Sequence, residues 1–394
     1  MTANKTALSV CLLSALVLSA GVKAQSSDST SLKDWVGRIK VTGTIQGEFR
    51  WRRDDPNRLA PARNSSDLYV RRVELGFETS LADWIRSSAV LSSEWIGDYG
   101  KTADSRVSLG ELQIELSKPG GIGYLNFGLQ AQPFGIFENH LISEPLLEDA
   151  YLVDKVGVIA GLRGPKELDL SISIYKGPEQ MTHLFQSGLF DTNLVTTFTG
   201  IPSSVSSWIG SVSCAPLDST LTIFGAIGSE PGTTRRDLTV DAGFSLQAPF
   251  QRKLTCDFEM SQALQRDLYQ RASIEHDEGL LAIALGYSFK PTYTPVHNRG
   301  LYQARREFVR SRPSELAVRY EYFNDDGLTA DLHAWTLKDR LSLAGRFALA
   351  QSKTTLAYFA IEIGVTQYRV YNPPPPSMVS DHSYGAQMRL GVDF

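Results

Sequence analysis

Ile-Lys-Val-Thr-Gly-Thr-Ile-Gln-Gly-Glu-Phe-Arg-Trp, residues 39–51, decides the fold. Its odd positions are Ile39, Val41, Gly43, Ile45, Gly47, Phe49 and Trp51, and its even ones are Lys40, Thr42, Thr44, Gln46, Glu48 and Arg50. Successive side chains of a strand point to opposite faces, so this stretch has one apolar face and one wet face. The same split returns at the C-terminus, where Tyr384, Ala386, Met388, Leu390, Val392 and Phe394 oppose Gly385, Gln387, Arg389, Gly391 and Asp393. It recurs in Leu168–Ile174, Leu238–Leu246, Leu254–Met260, Leu281–Phe289, Leu316–Tyr322, Leu341–Leu349 and Thr355–Val365. Such strands run about 9 to 12 residues, long enough to cross a bilayer when tilted.

The chain has 394 residues, 42% hydrophobic and 21% charged, a composition that excludes disorder and collagen-like repeats. The one apolar run approaching helical spanning length is at the N-terminus, which excludes a bundle of membrane helices. That run reads as an export signal, with Lys5 before an apolar core from Ala7 to Ala20 and small residues at Val22-Lys23-Ala24. Cleavage is expected after Ala24, making residues 1–24 a signal peptide, 25–36 a periplasmic lead and 37–394 the barrel. Without Lys5 and Lys23 the 39 basic residues become 37 against 43 acidic ones, a net charge of −6 that argues against nucleic acid as a partner. Cys11 precedes most of the apolar core, so the lipoprotein reading fails, and the remaining Cys214 and Cys256 are too few for a disulfide framework.

The connections give a second test. Long segments at Arg52–Ser66, Gln132–Lys155, Lys176–Pro202, Lys290–Pro313 and Tyr371–His382 are separated by turn-forming clusters at Gly164–Glu167, His276–Gly279 and Asn324–Gly327. Alternating long loops and short turns, with an even strand number, predict an all-β transmembrane antiparallel barrel of 16 to 18 strands with long extracellular loops, in the bacterial outer membrane. The strands around Trp208 and Tyr269 are weak, and they decide between the two counts. Terminal Phe394, on an outward face, is the expected signal for the barrel-assembly machinery. Trp35, Trp51, Trp84, Trp95, Tyr287, Tyr322 and Tyr384 fall near strand ends, where amphipathic rings favour membrane interfaces.

Ser66-Asp67-Leu68 through Val73-Glu74-Leu75-Gly76-Phe77, then Leu81-Ala82-Asp83-Trp84, and above all Gly128-Leu129-Gln130-Ala131-Gln132-Pro133-Phe134-Gly135-Ile136-Phe137-Glu138-Asn139-His140-Leu141-Ile142-Ser143-Glu144-Pro145-Leu146, carry a family likeness. The chain resembles the siderophore porins named for legiobactin uptake, which are similar in turn to the phosphate-selective porins. The likeness is densest over residues 35–177, has echoes at Tyr320-Glu321-Tyr322 and in the final strand, and is absent from Met181 to Gln265. It implies a porin passing small solutes, with anions or a siderophore as the expected cargo, and with ion transport rather than catalysis as its activity.

The most specific piece, Pro133-Phe134-Gly135-x-Phe137, opens a long loop at the end of the fifth strand. Leu141, Ile142, Leu146 and Leu147 alternate there with Glu138, His140, Glu144, Glu148 and Asp149. Such a loop folds into a lumen by packing its apolar residues on the wall and turning its carboxylates to the solute path. Pro133 lacks a backbone donor and Gly135 permits the turn, so the expected constriction comprises Pro133, Phe134, Gly135, Phe137, Glu138, His140 and Glu144. Lys40, Arg50, Arg72, Arg319, Arg346 and Arg389 lie on polar strand faces and are the expected pore lining, set against the acidic loop; Glu48, Glu74, Glu111, Glu115, Glu259, Glu321 and Glu362 lie on the polar faces as well. Arg346 and Arg389 have no adjacent acid in sequence, which favours them as solute-facing groups.

Two further clusters are basic. Arg50, Arg52, Arg53, Arg58 and Arg63 surround the first loop, and Arg299, Arg305, Arg306, Arg310 and Arg312 precede the strand at Glu315. Guanidiniums at a mouth gather anions or contact lipopolysaccharide phosphates. Outer-membrane lipid, small solutes and a homotrimer built on the small outward residues Gly43, Gly47 and Ala386 complete the expected partners. Two other classes remain open. One is a structural or adhesin barrel with a plugged lumen. The other is an outer-membrane hydrolase, for which His140 and Ser143 lack a converging orienting group. No cofactor or metal is expected, since no His or Cys pair has ligand spacing.

Overall fold

The computed structural model describes residues 38–55, 62–98, 107–135, 140–186, 204–217, 220–232, 235–248, 253–266, 276–289, 313–327, 335–352, 354–372 and 377–394. The expected signal peptide, the periplasmic lead, Trp35, Phe137, Glu138, Tyr269 and the cluster Arg299–Arg312 lie outside the described residues. Residues 41–394 form one compact unit. Its strands are β1 (Ile39–Asp55), β2 (Arg63–Ala82), β3 (Ile85–Ile96), β4 (Ser108–Ser117), β5 (Gly123–Ala131), β6 (Asp154–Arg163), β7 (Asp169–Lys176) and β8 (Val205–Cys214). They continue as β9 (Leu221–Pro231), β10 (Arg236–Gln247), β11 (Leu254–Gln265), β12 (His276–Ser288), β13 (Glu315–Gly327), β14 (Trp335–Gln351), β15 (Leu356–Asn372) and β16 (Ser377–Asp393). Two short helices, α1 (Leu146–Tyr151) and α2 (Glu179–Gln186), interrupt the connections.

The sixteen strands form a closed barrel in which each pairs with its sequence neighbour and β1 meets β16. Sixteen is the lower of the two expected counts, and Trp208 lies inside β8 as a paired strand residue. No described helix is long and apolar enough to cross a membrane. Alternation explains the sidedness. On β14, Leu341, Leu343, Phe347 and Leu349 are exposed on the outside, while Ser342, Ala344 and Arg346 are buried inside. On β1, Val41 and Ile45 face out and Thr44 and Glu48 face in.

Two turn assignments are overturned. His276–Gly279 and Asn324–Gly327 are not reversals but the paired ends of β12 and β13, with His276 opposite Gly327 and Gly279 opposite Asn324. Gly and Asx residues are tolerated there because the ladder continues through them, and the Gln262 side chain already occupies the space beside Gly279. The correction moves the connection that follows β12 to the other rim and leaves the one between β15 and β16 on the rim of the first loop. The end of β12 at Ser288 and the start of β13 at Glu315 lie on the rim where β2 meets β3, β4 meets β5 and β6 meets β7, opposite the rim where β1 meets β2. The long loop expected at Tyr371–His382 is likewise reduced to residues 373–376. The turn at Gly164–Glu167 is present, with Lys166 and Glu167 both at positive φ as a tight hairpin of matching twist requires.

Aromatic rings lie over glycines on neighbouring strands. Phe394 covers Gly43, Tyr124 covers Gly161 and Tyr358 covers Gly391, each ring occupying the space a Cβ would need. Gly43 therefore offers no open surface to a neighbouring molecule; nothing lies within 4 Å of the corresponding position at Gly47. Ala386 pairs with Trp51 and Gly47 with Leu390, so the three small residues do not form one patch. Gly43 and Phe394 also exchange backbone hydrogen bonds of 2.9 Å, which close the barrel seam. Replacing Gly391 by Val displaces the Tyr358 ring and is expected to destabilise the barrel by about 1–3 kcal/mol, whereas Gly47→Ala is near neutral. Urea titration of the folded, heat-modifiable band on gels measures both.

Candidate functional site: a loop across the barrel lumen

Residues 132–135 and 140–153 belong to the connection between β5 and β6, yet side chains among them reach the opposite wall. Gln132 N–H donates to the Val153 carbonyl at 2.8 Å, and Gln132 Nε2 bridges the Gln130 and Lys155 carbonyls at 2.9 Å, which fixes the base of the loop. Gly135 has φ +79°, the left-handed turn expected of it. Phe134 is 1% exposed and packs with Leu146, Leu147, Ala150, Tyr151 and Val153 against Tyr175, Leu184, Ile209, Leu280 and Phe323. This apolar block holds α1 against α2 and β12. Farther along, Leu141 sits on Ala317 and Ala344, and Ile142 on Leu356, Tyr358 and Ala360.

Polar anchors accompany the apolar ones. Ile142 N–H and Ser143 N–H both donate to Glu362 Oε2 at 2.7 Å, and Ser143 Oγ donates to Glu362 Oε1 at 2.5 Å. Leu146 N–H donates to Glu321 at 2.5 Å, while Arg319 Nη2 and Arg340 Nη2 donate to the Glu144 carbonyl at 3.2 and 2.6 Å. Glu321 in turn accepts from Arg319 Nε at 2.9 Å and Arg340 Nε at 2.5 Å. The wall carboxylates thus bind loop amides, and the wall guanidiniums bind loop carbonyls, so strands β13 to β15 satisfy the loop backbone.

His140 is clamped. Its Nδ1 lies 2.8 Å from Glu315 on β13, its Nε2 is paired to Asp257 on β11, and its ring fills the space beside Gly286 on β12. Arg346 of β14 bonds the other Glu315 oxygen at 3.1 Å. Burial alone would lower the imidazole's pKa, but attraction by Glu315 and Asp257 outweighs it and raises the value to about 9. His140 is therefore a buried cation that pins the loop, and it does not face the solute path.

Glu144 side-chain oxygen accepts from Arg71 Nη2 at 3.0 Å and Arg72 Nη2 at 3.1 Å, and both arginines also pair with Glu94. Arg71 lies on the Trp95 ring at 3.9 Å, Trp95 stacks on Tyr69 at 5.5 Å, and Arg50 covers Tyr69 at 5.2 Å while bonding Asp98 at 3.0 Å. Trp95 thus belongs to the inner wall and not to a membrane interface. It adopts φ +57°, and β2 and β3 pair at Val70–Ile96 and Arg72–Glu94 with no partner pair at Arg71. That irregularity brings adjacent Arg71 and Arg72 to the same carboxylate.

The other expected lining residues are dispersed along the wall. Arg389 pairs with Glu48 at 2.6 Å and Arg346 with Glu315, so both arginines are ion-paired, and Arg319 is buried beneath the loop. Lys40 is exposed at the start of β1. Glu148 is buried and does not line an open path. Pattern reading missed Arg71, Glu94, Asp257, Glu315 and Arg340. Arg340 shares the inward face of β14 with Arg346 and was concealed only because the apolar pattern begins at Leu341; Asp257 precedes Glu259 on the same inward face. Arg71 had no periodic signal.

No family model and no curated relative matches the sequence. Solved structures match in fold. They include the outer-membrane channel DcaP of Acinetobacter baumannii, at 11% identity and TM-score 0.55, covering 90% of this chain and 96% of that one. An anion-selective porin from Comamonas acidovorans matches at 12% identity and TM-score 0.56, covering 90% and 99%. OmpF of Salmonella typhi, solved with daunomycin, matches at 8% identity and TM-score 0.52, covering 89% and 97%. The chain therefore has the sixteen-strand fold of outer-membrane porins.

His140→Ala leaves Asp257 and Glu315 facing each other without their cation and is expected to weaken loop docking by about 3–5 kcal/mol. Because the folded-state value is raised, the clamp's stabilisation is complete below the free histidine value of about 6.5 and is lost as pH rises through about 9. Protease cleavage within residues 136–144 reads both effects. It should be slow at neutral pH, faster above pH about 9, and fast at every pH in His140→Ala.

Proposed function

We propose that this protein is an outer-membrane porin that passes small solutes around the loop at residues 132–153. The observation that carries the reading is the loop itself. It is fastened to β11, β13, β14 and β15 through His140, Ser143 and the Glu144 carbonyl, so it narrows the barrel without breaking its ladder. A charged wall beside a fixed constriction suits passive, weakly selective passage. The sixteen-strand fold shared with porins supports the same reading, as do the exposed apolar residues around the barrel, which suit a lipid environment.

Finer parts of the proposal rest on sequence. Export by the segment before Ala24, recognition of Phe394 by the assembly machinery, lipopolysaccharide contact and trimer formation belong here. So does a siderophore or anion as solute, which rests on the resemblance at residues 128–146. A plugged barrel is the second reading, favoured by the complete burial of Leu147, Tyr151, Tyr175 and Leu184 where α1 and α2 fill one side of the lumen.

Planar bilayers separate the two. A porin gives stepwise current, and deleting Ile136 to Glu144 raises the size of each step while the barrel still migrates as folded. A plugged barrel stays silent until the deletion is made. An unchanged step in the deletion variant shows that the loop does not set conductance.

A further inference from the structure

The interior charge of the barrel is lopsided. Among the described residues, sixteen carboxylates are buried inside it against five cations, Arg71, Arg266, Arg319, Arg346 and the His140 imidazolium. Adding the half-buried groups Arg50, Arg72, Lys338, Arg340 and Arg389 against Glu94, Glu115 and Glu144 still leaves more carboxylates than cations. The arginines are also already matched: each of these eight has a carboxylate within 4.0 Å. Four carboxylates are instead held by neutral donors. Glu111 accepts from Ser88 Oγ at 3.0 Å and Gln113 Nε2 at 2.7 Å; Glu230 accepts from Tyr175 OH at 2.6 Å and Gln180 N–H at 3.0 Å. Asp241 accepts from Ser261, and Glu362 from the loop amides and hydroxyl.

We infer that the conduit selects small cations over anions, and that Glu111 on the inward face of β4 is one of the residues that sets this preference. The inference rests on the porin reading and departs from the anion that the sequence resemblance suggests. Guanidiniums locked to carboxylates present little net field to a passing ion, whereas a carboxylate satisfied by hydroxyl and amide donors has no cation fixed beside it and acts on the ion path whenever it is ionised. Glu111 is buried on the inward face of β4, and the side chains that hold its carboxylate, Ser88 and Gln113, carry no charge. In a narrow lumen with low-dielectric walls such charges concentrate cations and repel chloride over about 10 Å, the screening distance at ~0.1 M salt.

The test is a zero-current potential across a planar bilayer containing the full-length protein, with a potassium chloride gradient at mildly alkaline pH. Potassium is expected to carry the larger share of current, and Glu111→Gln is expected to reduce the potassium-to-chloride permeability ratio by ~2-fold, the effect of removing one ionised wall carboxylate. Asp241→Asn provides a second variant with the same expected direction should Glu111→Gln fail to fold. A wild-type potential of the chloride sign overturns the inference. An unchanged ratio in folded Glu111→Gln removes that residue from it. Absence of any channel overturns the porin reading beneath it, a result distinct from both.

Discussion

A strand left at an open sheet edge has unpaired amides, so the described inward and outward residues are arranged around a ladder that closes on itself. The seam shows what closure demands. Residue 394 is paired to residue 43 by two backbone bonds, and its ring lies over the glycine opposite, where any larger residue would push the last strand away. Once the ladder is closed, the pleat sorts side chains without further choice: apolar ones to the outside, polar ones to an interior that the chain must then fill or wet.

The filling is uneven, and the unevenness is chemical. On one side α1 and α2 bring Leu147, Tyr151 and Leu184 into a dry block against β8, β12 and β13. Elsewhere the interior is held by ion pairs, whose cost of desolvation is met only when each charge has well-placed partners. The loop at residues 132–153 uses both methods. Its apolar side chains sit on small wall residues such as Ala317, Ala344 and Ala360, which leave room for them, while its backbone binds Glu362, Glu321 and Arg340. A loop anchored this way is rigid because its backbone polar groups have partners on the wall that water would otherwise supply.

Much of the fold was legible because period two is a local property. Residues 39–51 and 384–394 announce their faces without reference to any partner, and Phe134, Gly135, Leu141 and Ile142 announce a loop that turns inward. Rim assignment was less legible. The Gly and Asx residues at 276–279 and 324–327 have turn chemistry, but whether a chain reverses or continues there depends on the neighbouring strand, and His276 finds Gly327 opposite it. One such misreading transfers the following connection to the other rim. The partners of His140 were illegible for a related reason: Asp257 and Glu315 are more than a hundred residues away, and only barrel closure places them on either side of one imidazole.

The β2–β3 irregularity shows where pattern and chemistry part. Strict alternation would send Arg71 to the lipid side and leave Glu144 with Arg72 alone. A left-handed Trp95 leaves one gap in the β2–β3 ladder, and both guanidiniums reach the same carboxylate while Arg71 lies on the Trp95 ring. Backbone strain at a bulky residue costs of order 1–3 kcal/mol and persists only where surrounding contacts fix it. Here the Tyr69 stack, the guanidinium on the indole and the salt bridges to Glu94 and Glu144 supply those contacts. The loop is thus tied to β2 as well as to β11–β15, and the strand that departs from the period is the one that holds its acidic side chain.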